Sequence, residues 1–508
     1  MSRPAAALVF FLAAAGAAGA QEGPTLPQSD SYYAAGQETL ARRKAVKPNK
    51  RRAKNVILFV ADGMDPTTVA AARIFDGQTR GEDGEENLLS FERFPYIAMS
   101  KTYTTNAQTP DSAGTMSAMV TGIKTKSGVL SVSDAAAKGD CASGLGAIVP
   151  TLGELSEMAG LATGIVSTAR ITHATPGAVY AHSAERGWES DADLPAEAAE
   201  TGCRDIARQF IEFPYGDGLE VAMGGGRSNF LPAEAADPER PDATGRRLDG
   251  RNLALEWTAK SNAHVYVWNQ QGFDAVDPAA DPRLLGLFNG THMQYELQRH
   301  RDPGGEPSLA EMTKKAIEIL SRDKDGYFLM VEGGRVDHAH HAGNAAHALK
   351  DVQAYSEAVA TARAMTREKD TLIIVTADHG HTLAFQGYPA KGSDILGLAT
   401  TVAGGKDSLA TAYDGKPYTT LVYANGPGSV FIDDNEDGRP TPSAEEVADP
   451  TYRQQALIPA ESESHGGQDV TIYASGPRAY LFGGVVEQNY IFHVIDDALK
   501  LSKRAGVQ

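Results

Sequence analysis

The sequence predicts an α/β fold: a three-layer sandwich around a large, mostly parallel central sheet, with a small insertion domain. Three observations lead there. From Asn55 on, short apolar runs of strand length alternate with helical stretches, the rhythm of parallel strands joined by crossover helices. The chain has 508 residues and 42% hydrophobic composition, enough to bury a core on both faces of such a sheet. Between Gly387 and Ser462 the rhythm breaks into Gly/Pro-rich, short-strand sequence, which reads as an insertion domain, 387–462.

Residues 1–20 read as a signal peptide. One positive charge at Arg3 precedes an apolar stretch too short to span a bilayer, and Ala18-Gly19-Ala20 closes it as a cleavage site ahead of Gln21. Residues 21–54 form an N-terminal arm, with a polar helix and a Lys/Arg-rich run expected over 32–54; such a run is a solvated face. Strands are expected at 55–61, 163–168, 220–223, 327–331, 372–376 and 470–474, so 55–386 and 463–508 make up the main α/β domain. Residues 232–307, rich in Asp, Pro and Arg, form a second irregular excursion. No internal repeat is present.

No later run of about 20 apolar residues occurs, and the C-terminal stretch 499–508 is basic and polar, so the product is expected to be exported, periplasmic or secreted, without a membrane anchor. In an oxidising compartment the lone pair Cys141 and Cys203 is expected to bridge. A formal net charge of −18 argues against a nucleic-acid-binding surface, which needs dense Lys/Arg.

Carboxylates gather at the carboxyl ends of three expected strands: Asp62, Glu332 and Asp378. Open α/β sheets place their sites there. Each alone reads as a helix N-cap; three together, two of them in segments that also carry histidines, do not. Asp337 and His341 stand at i and i+4, on one face if the chain is helical, and 338, 340 and 341 carry three of the chain's 13 histidines. Asp378-His379 gives a second oxygen/nitrogen pair, and His465 lies in a loop before a strand. Imidazole with carboxylate and no thiolate suits zinc in a site with open positions. Asp111-Ser112 precedes an Ala/Met/Val-rich helical run and reads equally well as an ordinary N-cap. Small Ala113 and Gly114 would let an anion reach the helix's first N–H groups. Ser112 becomes a good nucleophile only if a base or metal lowers its pKa.

These segments resemble the alkaline phosphatase family, in its animal-type branch, which also occurs in marine bacteria. The similarity runs from about Lys54 to the C-terminus. It is most specific in Val331-Glu332-Gly333-Gly334-Arg335-Val336-Asp337-His338, Thr376-Ala377-Asp378-His379, Gly387-Tyr388-Pro389 and Tyr452-Arg453-Gln454-Gln455. A further stretch, Ser167-Thr168-Ala169-Arg170-Ile171-Thr172-His173-Ala174-Thr175-Pro176, leads to Ala181-His182-Ser183-Ala184-Glu185-Arg186. The resemblance implies hydrolysis of phosphate monoesters (EC 3.1.3.1) through a phosphoserine at Ser112, with a broad substrate range under alkaline conditions.

It further implies one zinc on Asp337, His341 and His465, and a second on Asp62, Asp378, His379 and Ser112. A magnesium would be shared by Asp62, Thr175 and Glu332. Arg186 would grip two phosphate oxygens, a bidentate task suited to guanidinium. His173 would sit in the outer shell of the magnesium site and His338 near the phosphate, and these two, with Asp111, would tune rate and metal affinity. Relatives carry a disulfide at positions matching Cys141 and Cys203. They also pair as homodimers through the insertion domain and the N-terminal arm, which here would bring Tyr388 toward the neighbouring site. A calcium site of the relatives maps onto Glu239, the Phe288 carbonyl, Asn289 in place of a glutamate, and Glu306 in place of an aspartate. The lost charge at Asn289 leads to an expectation of weakened calcium binding.

Three rival readings carry different signatures. A sulfatase on a similar fold would show a modifiable Cys or Ser in a C/S-x-P-x-R context, and Ser112-Ala113-Gly114 does not. A phosphodiesterase would lack the third metal site and the phosphate arginine, whereas Thr175, Glu332 and Arg186 are present. A non-catalytic zinc-sequestering protein would have no reason to keep Ser112 or Arg186.

Overall fold

The computed structural model describes residues 26–431 and 438–507. The expected signal peptide, the first residues of the arm (21–25) and residues 432–437 of the insertion lie outside the described residues. A first unit, up to Lys47, contains the helix Ser31–Ala45, capped by the Asp30 side chain and burying none of its residues. It is the polar helix the sequence led to expect.

The second unit, from Pro48 on, is organised around a ten-stranded sheet. In chain order its strands are β1 (Asn55–Ala61), β2 (Tyr96–Lys101), β3 (Ala162–Arg170), β4 (Val221–Gly225), β5 (His264–Val267), β6 (Arg283–Leu287), β7 (Tyr327–Gly333) and β8 (Thr371–Ala377). Seven short strands follow: β9 (Gly380–His381), β10 (Leu383–Phe385), β11 (Thr400–Thr401), β12 (Gly405–Leu409), β13 (Leu421–Gly426), β14 (Ala456–Pro459) and β15 (His465–Gly466). β16 (Val470–Ser475) and β17 (Val485–Glu487) return to the main sheet, whose order is β17-β2-β16-β8-β1-β7-β3-β4-β6-β5. β16 runs antiparallel to both neighbours, and the remaining pairings are parallel.

The central strands β1, β7 and β8 are apolar along most of their length because both of their faces are covered. In β1, Val56, Leu58 and Val60 enter one core cluster while Ile57, Phe59 and Ala61 enter the other. The six expected strands all form. Four more complete the sheet, and two of these, β5 and β6, lie within 232–307. That stretch is therefore only partly an excursion: it also extends the sheet edge. The small insertion sheet, ordered β10-β13-β14, starts at Leu383, ahead of Gly387. A Cys141–Cys203 disulfide is formed. Among the described residues no helix is long and apolar enough to cross a membrane.

Strand register sets the position of the site. Val60 lies opposite Glu332 on β7 and Thr376 on β8, and Ser167 on β3 lies opposite Glu332. The carboxyl ends of β1, β3, β7 and β8 therefore finish level, and the residues after them share one crevice.

Candidate active site

Asp62 follows β1, Asp378 and His379 follow β8, and all three are fully buried. Their ligand atoms lie within 4.8 Å of one another, with His379 Nε2 at 3.2 Å from Asp62 and 3.3 Å from Asp378. Ser112 opens the helix Ser112–Thr121, capped by Asp111, whose Oδ1 accepts from Gly114 N–H at 3.1 Å. That helix start carries Ser112 Oγ to 3.1 Å from His379 Nε2 and to 3.4 and 3.5 Å from the Asp62 oxygens. The N-cap reading of Asp111-Ser112 is thus realised, and the same cap brings the Ser112 hydroxyl to His379 and Asp62.

A second group sits beside the first. Asp337 and His341 share the short helix Arg335–His341, as their spacing requires, and His465 reaches them from β15. Asp337 Oδ1 is 3.3 Å from His341 Nε2 and 3.3 Å from His465 Nε2. The His379 and His465 rings stack at 3.6 Å, so the two groups abut. A third set, Asp62, His173 and Glu332, again lies within 4.8 Å. Thr175 Oγ1 and Glu332 Oε1 are both buried there without a hydrogen-bond partner among the described residues.

The sequence reading gave no role to His381 or Glu463. His381 belongs to the second group: Nε2 is 2.8 Å from Asp337 Oδ1 and Nδ1 is 2.6 Å from Glu463 Oε2. Glu463 also accepts from Thr382 N–H at 2.6 Å, and its backbone carbonyl lies 2.5 Å from His341 Nδ1. The available signal was the alternation His379-Gly380-His381, which puts both rings on one face of an extended segment. Ser167, which donates to Glu332 Oε2, was likewise missed.

The electrostatics call for cations. Burial, then the charges of Asp378, Asp337 and Glu332, push Asp62 well above the carboxylate range, and burial pushes Glu332 up to about 8. Burial would raise Asp337 too, but His381 and His465 outweigh it and hold it well below its ordinary value. Burial would lower His381, and its bonds to Asp337 and Glu463 instead raise it to about 10. Buried carboxylates crowded with imidazoles fit metal ions, which would replace both the repulsion and these stand-in protons.

Arg186 faces the crevice. It donates from Nη1 to Asp111 Oδ2 at 3.1 Å, and its Nη2 is 3.2 Å from His173 Nε2. His338 sits farther along the rim, its ring 5.6 Å from that of His173 and 4.1 Å from that of His292. Away from the crevice, Glu239 accepts from Arg227 Nη2 at 2.7 Å, Glu306 accepts from Asn289 Nδ2 at 2.9 Å, and Phe288 is fully buried. Tyr388 is 85% exposed.

The serine at a helix N-terminus, the two adjoining carboxylate–imidazole groups, the third acidic group and the Arg186 guanidinium all lie at the carboxyl end of the α/β sheet. Residues 53–501 match the alkaline phosphatase family model. The chain is 42% identical over 466 residues to an alkaline phosphatase of Gadus morhua, covering 90% of this chain and 94% of that one. It is 44% identical over 480 residues to the tissue-nonspecific alkaline phosphatase isozyme of Mus musculus, covering 93% and 89%. Among solved structures, the alkaline phosphatase of Thermus thermophilus shares the fold at a TM-score of 0.63 and 24% identity, covering 89% of this chain and 93% of that one. That of the Antarctic bacterium TAB5 does so at 0.59 and 22%, covering 89% and 99%. The chain belongs to the alkaline phosphatase family and is a phosphoric monoester hydrolase.

Proposed function

We propose that this enzyme hydrolyses phosphate monoesters through a phosphoserine on Ser112, with two zinc ions and an auxiliary magnesium. The observation that carries the reading is the placement of Ser112 Oγ in the Asp62–Asp378–His379 group, 3.1 Å from His379, whose ring stacks on His465 of the second group. Asp337, His341 and His465 would hold one zinc, and Asp62, Asp378, His379 and Ser112 the other. Asp62, Thr175 and Glu332 would hold the magnesium, which accounts for the two partnerless oxygens of Thr175 and Glu332. Bound there, such ions supply Lewis acidity, lower the pKa of a hydroxyl or water, and neutralise charge on the reacting phosphoryl group.

Ser112 Oγ attacks phosphorus in line and the P–O bond to the alcohol breaks; water then displaces Oγ, releasing inorganic phosphate and restoring the serine. Arg186, aligned by Asp111 and His173, presents two N–H groups to the non-bridging oxygens. The N–H groups at the start of the Ser112–Thr121 helix add positive potential at the same spot. These contacts address phosphate rather than alcohol, which supports a broad substrate range, and deprotonated nucleophiles favour alkaline conditions.

Ser112→Ala is expected to cut turnover of nitrophenyl phosphate at least about a thousandfold, leaving only binding and electrostatic assistance. Melting temperature should stay near that of the parent. A Ser112→Ala protein that still accumulates covalent phosphate would exclude this serine as the nucleophile. Metal analysis should return two zinc and one magnesium per chain.

The disulfide supports an exported, periplasmic or secreted enzyme. Exposed Tyr388, Leu457 and Ile458 on and beside the small insertion sheet support a homodimer formed through it. A monomeric mass by light scattering at micromolar concentration would contradict the dimer. Calcium is proposed as a further ion near Glu239, Phe288, Asn289 and Glu306, whose hard oxygens suit it.

A further inference from the structure

Two carboxylates, Asp237 and Glu239, hold one buried guanidinium in the stretch that precedes β7, and two more, Asp302 and Glu306, lie near Glu239. Arg227, whose side chain is fully buried, donates to both oxygens of Asp237 at 2.8 and 2.7 Å and to Glu239 Oε2 at 2.7 Å. The Glu239 side chain is 2% exposed, yet its second oxygen, Oε1, has no hydrogen-bond partner among the described residues. Asp302 is 9% exposed, and both of its carboxylate oxygens are buried and equally without partners. Its carboxyl faces that of Glu239, and Glu306 feels the charge of both. The loop after Asp302 packs directly on Glu239: a Cβ placed on Gly304 would lie 3.6 Å from Glu239 Cδ.

Partnerless carboxylate oxygens inside a protein are costly unless a cation satisfies them. Arg227 cannot do this alone, since its bonds are spent on Asp237 and on the other oxygen of Glu239. Asn289 does not offer its carbonyl. Asn289 Oδ1 accepts from Thr291 N–H at 3.1 Å, while its Nδ2 donates to Glu306 Oε1 at 2.9 Å. Both ends of that side chain are engaged.

We infer that Asp302 supplies the anionic oxygen that position 289 lacks, completing a calcium site with Glu239 and Glu306, while Asn289 positions Glu306 without touching the ion. The inference rests on the calcium reading proposed above and changes its consequence. With Asp302 present the ligand charge is restored, so calcium binding is not weakened by Asn289.

The test uses purified enzyme loaded with zinc and magnesium. Calcium is titrated by calorimetry and by thermal melts into the parent, Glu239→Gln and Asp302→Asn. The parent should give heat and a rise in melting temperature, and each variant should lose at least tenfold in calcium affinity. If the parent gives neither heat nor a shift at millimolar calcium, the calcium reading fails and the role of Asp302 fails with it. If the parent binds, Glu239→Gln does not, and Asp302→Asn binds like the parent, calcium stands and the inference about Asp302 is overturned. Calcium-soaked crystals of the parent give a measure that needs no variant. An Asp302 oxygen about 2.3–2.6 Å from the ion is expected. Coordination by Asn289 Oδ1 with Asp302 standing apart would refute it.

Discussion

His381 and Glu463 show what a second layer of hydrogen bonds does for the site. His381 links Asp337 to Glu463, and the Glu463 backbone carbonyl fixes the His341 ring, so one buried glutamate orients two members of a single ligand group. A ligand whose direction is fixed in advance binds metal more tightly, and loss of such a support costs about 10–100-fold in metal affinity. His381→Ala should therefore release zinc at a chelator concentration about 10–100-fold lower than the parent requires, with far-UV circular dichroism unchanged; equal zinc retention would show the contact to be idle. The contrast with Asp62, Glu332 and Asp378 explains what was legible. Those three stand directly after apolar runs, so the end of a strand announces them, and Asp337 and His341 announce themselves by helical spacing. Glu463 has only a loop around it, and its partner His381 is brought to it by the β9–β15 pairing between residues far apart in the chain. Asp302 was invisible for the same reason: nothing local marks a loop aspartate as facing Glu239.

The same division holds for the elements. β1, β3, β7 and β8 lie in the middle of the sheet with both faces covered, and continuous apolar sequence is what double coverage demands. β5, His-Val-Tyr-Val, is a half-buried edge strand, and β2 and β17 mix exposed and polar residues, so neither an apolar run nor strict alternation betrays them. The disulfide joins the helix Cys141–Leu145 to the turn after the helix Ala196–Thr201, beside a small cluster of Ala184, Trp188 and Ala198. That cluster is too small to hold the region alone. With a sequence separation of 62, the bridge should contribute about 4 kcal/mol through the unfolded chain. Replacing both cysteines by serine should lower the midpoint of guanidinium unfolding accordingly, and an unchanged midpoint would show the bridge to be thermodynamically silent.

At the scale of the whole molecule, a chain with a formal charge of −18 must tolerate the ionisation of acids it has buried when the pH is raised. Glu157 is the clearest case outside the active site. It is 4% exposed, accepts from Thr163 Oγ1, and sits near Glu220, which accepts from Thr163 N–H at 2.7 Å. Both groups lie at the amino end of β3, at the other end of the strand from the crevice. Burial, then the charge of Glu220, pushes Glu157 up to about 9, and burial raises Glu220 as well. Above a pH of about 4.5 the unfolded chain has released protons that the folded chain still holds. Stability contributed by Glu157 is therefore complete below that pH and is lost as pH rises toward 9, at a rate of at most about 1.4 kcal/mol per pH unit for one proton. Glu157→Gln keeps an oxygen for Thr163 and removes the proton from the balance. Its melting temperature should match the parent's at pH 5 and exceed it by a few degrees at pH 9.5. Titration of the catalytic ligands is common to both proteins and cancels in this difference, so two melting profiles that run parallel from pH 5 to 9.5 would mean Glu157 ionises in the folded enzyme as freely as in water.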